Sequence, residues 1–294
     1  MNCIHKLTAL VTIALLMHSC EDPVQLDSEF EQPQLVVDAW LTNESTLQTI
    51  TLTESQDYFQ NGLPTPVTNA TVTVANGAAV YEFDNNGDGT YTWMPSAGET
   101  LGSVGNDYSL SVTTDGTSYT ASTAMYRVPT IDSISVYFED EAFGGEEGLY
   151  AELYARDLPG KGDTYWVKSY RNDTLLNRPQ ELNIIYDAVF DAGNDIDGIY
   201  FIRPLRFAIN ALDDDGFPRP LQSGDKVTSE IHSISNEAFT FMQTVFEQTT
   251  NGDNTIFALP VANARSNVTN VATGERALGF FNVAAVSTLS KIVE

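Results

Sequence analysis

The stretch ATVTVANGAAVYEFDNNGDGTYTW, residues 70–93, decides the fold class. Ala70, Val72 and Val74 alternate with Thr71 and Thr73, and Asn76-Gly77 and Asp88-Gly89 separate this run from those at 80–83 and 90–93. Period two puts every second side chain on one face of an extended chain, and Val, Thr, Tyr and Phe suit such a half-buried surface. Asn-Gly and Asp-Gly accept the positive φ angles of tight hairpins. Three short strands joined by turns are therefore expected.

The same pattern extends in both directions. Upstream, Leu35, Val37, Ala39 and Leu41 share one face and Val36, Asp38 and Trp40 the other, followed by a run at 49–53. Downstream, runs at 108–112 and 118–121 flank Asp115-Gly116. Seven short strands in about 95 residues is the size of an immunoglobulin-like β-sandwich, expected over residues 33–128. Tyr108 opens a late strand after a turn, the position of a tyrosine corner with a structural role. Val128-Pro129-Thr130 punctuates the chain, because proline restricts itself and the residue before it. A second β-rich domain is expected over 131–294, with strands at 131–138, 164–170, 200–205 and 226–234 and a closing strand at 277–286. It contains one short amphipathic helix: Ser235 or Asn236 caps it, and Ala238, Phe239, Met242, Val245 and Phe246 recur at three-and-four spacing to about Gln248. A stripe at that spacing is a core face. The fold class is mainly β.

The start of the chain carries an address. Residues 1–19 have a weakly basic beginning at Lys6, an apolar run at 7–17 and the small Ser19 just before Cys20. That grammar is a signal peptide ending at a lipid-attachment cysteine. The apolar run is too short to cross a bilayer as a helix, which takes about 20 residues. Met17 and His18 stand where a general lipobox prefers Leu and a small residue, so the match is partial. Glu21 and Asp22 follow the cysteine at once, and residues 20–32 read as an acidic tether.

Charge and residue types then remove several chemistries. The chain has a formal charge of −26, and loss of residues 1–19 with Lys6 takes it to −27. Such a charge repels nucleic acid and anionic lipid heads, so no nucleic-acid partner is expected. Membrane attachment falls to the lipid on Cys20. Cys3 leaves with the signal peptide, so the mature body has no thiol, no disulfide and no cysteine zinc site. His232 is the one histidine beyond residue 19, and a Ser-His-Asp triad would have to use it. Ser223 and Lys226 match a Ser-x-x-Lys spacing, but in a Gly-Asp turn without companion motifs. No catalytic residue and no cofactor are expected. Asp84, Asn86 and Asp88 with Gly87 and Gly89 follow the first half of a calcium loop, but Pro95 replaces the bidentate glutamate and both flanks read as strands. The stretch is a polar hairpin turn first and a weak calcium candidate second. The acidic loops at 191–198 and 213–216 are comparable.

Taken in order, several motifs resemble one family. These are Cys20-Glu21-Asp22, the first strand from Leu35 to Leu41, Val67-Thr68-Asn69-Ala70-Thr71, Gly89-Thr90-Tyr91, Tyr108-Ser109-Leu110, Pro129-Thr130-Ile131, Gly224-Asp225-Lys226 and Ala277-Leu278-Gly279-Phe280-Phe281. The sequence looks like a Bacteroidota family of outer-membrane lipoproteins carrying a domain of unknown function, often encoded beside TonB-dependent receptors. The resemblance implies export to the cell surface through Glu21 and Asp22, and it brings no catalytic residue. The function expected is a non-catalytic accessory or binding partner of a TonB-dependent transporter in nutrient uptake, held to the outer membrane by its lipid. The alternative is a free-standing surface glycan-binding or adhesion module, with Trp93, Trp166 and Tyr170 stacking on sugars. A hydrolase comes last.

Overall fold

The alternating runs form strands, and the chain enters them almost at once. The structure, a computed structural model, describes residues 32–56, 60, 62–140, 144–189, 198–250 and 262–294. The signal segment, Cys20, Glu21, Asp22, all of the tether but Gln32, and residues 191–197 of one acidic loop lie outside the described residues. Seven strands come first: β1 (Leu35–Thr42), β2 (Gln48–Glu54), β3 (Thr71–Asn76), β4 (Ala79–Asn85), β5 (Thr90–Trp93), β6 (Asp107–Thr114) and β7 (Thr117–Ala124). Then come β8 (Ile131–Glu139), β9 (Gly148–Ala155), β10 (Thr164–Arg171), β11 (Thr174–Leu175), β12 (Asn183–Tyr186) and β13 (Lys226–Ile234). Among the described residues the α-helices are α1 (Arg203–Phe207) and α2 (Asn236–Thr250), with a single 3-10 turn at Pro179–Glu181, and the chain closes with β14 (Thr269–Asn270), β15 (Leu278–Ala284) and β16 (Val286–Ile292).

The first sheet has nine strands in the order β14-β7-β6-β3-β4-β5-β2-β1-β15. Its inward residues are those the alternation selects: Leu35, Val37, Ala39 and Leu41 on β1, Ile50 and Leu52 on β2, and Tyr108, Leu110 and Val112 on β6. They meet in one core with Tyr91 and Phe281. β4 carries the sheet round, pairing β3 through Ala79–Phe83 and β5 through Asp84 and Asn85. The curl brings β15 against β7. The Asn267 side chain spans that junction, accepting from the Phe281 N–H at 2.9 Å and donating to the Phe281 carbonyl at 2.8 Å and the Ser122 carbonyl at 3.5 Å.

All pairs in this sheet are antiparallel except β1 with β15, where Val37 lies beside Gly279. Gly279 has φ +81°, and a Cβ there would overlap the Val37 carbonyl. Only glycine suits both the backbone angle and the close approach. The first sheet therefore draws on residues far beyond the boundary at 128–131, and residues 33–294 form one compact unit.

The hairpin β8–β9 packs on a second sheet ordered β11-β10-β13-β16, with β12 also on β10. Ala151, Leu153, Tyr165, Val167, Ile185 and Ile231 are buried between them. One residue, Ala285, separates β15 in the first sheet from β16 in the second. The Ser233 hydroxyl accepts from its N–H at 2.9 Å, and the Ser233 N–H donates to its carbonyl at 3.0 Å. Between the sheets, Trp40 stacks on Phe280 at 5.7 Å and meets Trp166 edge-on at 5.4 Å, while Phe241 of α2 lies 5.0 Å from Phe280. Helix α2 docks there through Ala238, Phe239 and Met242, and the Ser235 hydroxyl caps it by accepting from the Ala238 N–H at 3.0 Å.

The mainly β reading holds, and Lys226–Ile234 and Thr90–Trp93 match the expected strands to the residue. Residues 200–205 do not form the expected strand. Tyr200 makes one bridge, to Arg156, and the chain turns into α1 with Pro204 in its first turn. Proline has no N–H for a ladder and fits a helix start. Tyr108 is buried, but its hydroxyl makes no hydrogen bond, so it is not a tyrosine corner. Tyr91 makes that type of bond instead, accepting from the Ala70 N–H and donating to the Val67 carbonyl, both at 2.9 Å.

Candidate functional site

β9 ends at Ala155, and the next residues loop back into β10; β12 ends at Tyr186 and turns through Asp187 and Ala188. Pairing of β12 with β10 sets Tyr186 beside Thr164 and so brings the loop and the turn together. Asp157, Asp163 and Asp187 converge there, each with an oxygen within 4.8 Å of the others. Asp157 is 1% exposed. The buried Tyr165 hydroxyl donates to its Oδ1 at 2.8 Å, and its Oδ2 makes no hydrogen bond.

The other two carboxylates are held differently. Asp163 receives the Arg127 guanidinium as a fork, Nε to Oδ1 at 2.9 Å and Nη2 to Oδ2 at 2.5 Å. Asp187 accepts from the backbone: Gly162 N–H reaches both its oxygens at 2.9 and 3.0 Å, and Asp163 N–H reaches Oδ1 at 3.0 Å. Asp187 and Ala188 both have positive φ, 46° and 58°, although neither is glycine. Burial pushes the Asp157 carboxyl up to about 6; the Tyr165 hydroxyl and Leu158 amide oppose this, and the charges of Asp163 and Asp187 add to it.

Two further polar clusters are structural in geometry. Glu152 on β9, 3% exposed, accepts from Tyr137 (2.8 Å), Tyr154 (2.9 Å), Arg203 Nε (2.7 Å) and Arg206 Nε (2.6 Å). Four donors on two oxygens leave the carboxylate fully answered. On β13, Glu230 Oε2 meets His232 Nε2 at 2.9 Å and the Tyr170 hydroxyl at 3.1 Å. Burial lowers the pKa of His232, which favours the neutral ring.

The residues singled out from sequence do not converge. His232 is buried, and its ring lies 6.1 Å from Trp166. Ser223 is exposed in a turn, and the Lys226 ammonium rests on Asp173 at 2.8 Å. Asp84, Asn86 and Asp88 lie at the β4–β5 turn. There Asp88 Oδ1 accepts from the Thr90 N–H and hydroxyl at 2.9 and 2.6 Å, and the Asn86 amide donates to the Thr90 hydroxyl at 3.0 Å. In the loop at 213–216, Asp213 Oδ1 accepts from the Asp215 and Phe217 N–H groups at 2.9 and 2.8 Å. Trp93 packs edge-on against Tyr81 at 4.8 Å, and the Lys168 ammonium lies 4.1 Å from the centre of Trp166. Sequence reasoning missed Asp157, Asp163 and Asp187. The one available signal was the density of Asp, Gly and Pro in 157–163, and nothing in it points to position 187.

Fold and site together define a mainly β protein whose last two strands, β15 and β16, complete one sheet each. The chain belongs to the family described as Domain of unknown function (DUF4249), whose model matches residues 21–290. No curated protein matches it.

Proposed function

We propose that the chain is an outer-membrane lipoprotein, anchored through Cys20 and exported to the cell surface, that acts as a non-catalytic accessory or binding partner of a TonB-dependent transporter in nutrient uptake. The observation that carries this reading is the run of residues 1–22: an apolar segment, Ser19, Cys20, then Glu21 and Asp22. The acidic charge supports it by leaving membrane attachment to lipid rather than to a basic surface. Among the described residues no helix is long and apolar enough to cross a membrane. Mass spectrometry of the mature N terminus should find an acylated cysteine, and Cys20→Ala should move the protein out of the membrane fraction. Purification from gently solubilised outer membrane should bring down a TonB-dependent receptor. An unmodified N terminus would remove the anchor, and a monomer free of any receptor would remove the partner.

A further inference from the structure

Burying a carboxylate is unfavourable unless its charge is met, and each of its oxygens is ordinarily hydrogen-bonded. Asp157 departs from this: it is 1% exposed, and Oδ2 lacks a hydrogen-bond partner. The groups around it do not explain the vacancy, because two of them are carboxylates themselves. Arg127 answers Asp163, and the backbone amides of Gly162 and Asp163 answer Asp187 without supplying a positive charge. By contrast, Glu152 is equally buried and meets two arginines and two tyrosines.

We propose that Asp157, Asp163 and Asp187 form a Ca²⁺ site. The donors are all carboxylate oxygen, which selects a hard cation. Ca²⁺ takes oxygens at about 2.3–2.6 Å, so two ligands of one ion lie up to about 5 Å apart. The three donors, within 4.8 Å of one another, fit that sphere. Mg²⁺ holds its ligands at about 2.1 Å in near-ideal octahedra, which caps their separation at about 4.2 Å and suits a fixed three-carboxylate corner less well. Asp163 Oδ1 and Oδ2 and Asp187 Oδ2 each accept one hydrogen bond and keep a second lone pair for the ion, whereas Asp187 Oδ1 already accepts two. Water completes the coordination. The ion ties the loop entering β10 to the turn leaving β12 and gives Asp157 Oδ2 the partner it lacks, beside the more distant charge of Arg127. This site is independent of the lipid anchor.

The test is thermal melting and titration calorimetry of the full chain after chelation, with CaCl₂ added to about 10 mM, which covers weak extracellular-type sites. Calcium should raise Tm by about 3–8 °C, the shift expected for an ion at ten to a hundred times its Kd in a protein of this size. In Asp157→Asn the calcium response should vanish, while the chelated variant melts no lower than the parent because a buried charge has gone. Asp187→Asn should also lose the response, but its oxygens hold backbone amides and it can fail to fold, so Asp157→Asn carries the decision. Asp88→Asn at the β4–β5 turn should keep the full response. No shift at 10 mM calcium, a shift retained in Asp157→Asn, or one lost only in Asp88→Asn would each overturn the proposal.

Discussion

Burial alone would raise the Glu152 carboxyl, but hydrogen bonds from Arg206, Arg203, Tyr137 and Tyr154 bring it down to about 2. A carboxylate whose pKa is lower folded than unfolded stabilises the fold above the unfolded value, near 4.5, and loses that contribution as pH falls toward 2. The shift corresponds to roughly 3 kcal/mol. Urea denaturation at pH 7 and pH 3 should show that part of the loss, and Glu152→Gln should remove the part belonging to this site. At neutral pH the same variant should be destabilised by about 1.5–3 kcal/mol, because charge-assisted hydrogen bonds are lost, while Arg203 keeps Glu139 at 2.5 Å and both guanidiniums reach solvent. An unchanged midpoint at pH 7 would mean that the four donors find equal partners in water. Asp157 is the opposite case at the same scale, since its pKa is raised and nothing described meets its second oxygen.

Strand β15 depends on a single glycine. Gly279 has positive φ, and a side chain there would strike the Val37 carbonyl. Gly279→Ala therefore combines a strained backbone with an overlap that only separation of β1 from β15 relieves. It should lower stability by about 2–4 kcal/mol, read as the denaturation midpoint. Leu278→Ala, at a half-buried position one residue earlier, should fall short of that. Local elements of this kind were legible in part. Alternation and Gly turns expose β1 to β7, because a strand with one buried face writes its period into the sequence. The 3.6-residue stripe likewise reveals α2, although it passes over Phe241, which faces Trp40 and Phe280. Residues 200–205 have strand-like composition, and Pro204 decides against it. Parallel pairing of β1 with β15 leaves no local trace, since each strand alternates in the same way whichever neighbour it takes. The aspartate site was hidden for the same reason. Its three residues come from two connections, and only the β10–β12 register makes them neighbours.

At the scale of the molecule, the question is whether the two sheets unfold together. The C-terminal strands decide it, because β15 completes the first sheet, β16 completes the second, and only Ala285 lies between. The aromatic contact of Trp40, Trp166, Phe241 and Phe280 adds a shared apolar layer. Both links predict one cooperative transition. The three tryptophans report on it: Trp93 packs on the first core, and Trp40 and Trp166 sit between the sheets. In Trp93→Phe, fluorescence follows the inter-sheet layer alone and should melt with the far-ultraviolet dichroism. A chain ending at Ala285 keeps β15 but removes β16, leaving the outer edge of β13 unpaired and Val293 gone from the second core. Its second sheet should melt first, so the inter-sheet fluorescence should change at a lower temperature than most of the dichroism. The gap between the two curves then measures how far β16 couples the halves. Coincident curves in the shortened chain would show that the aromatic layer alone is enough to make the unit cooperative.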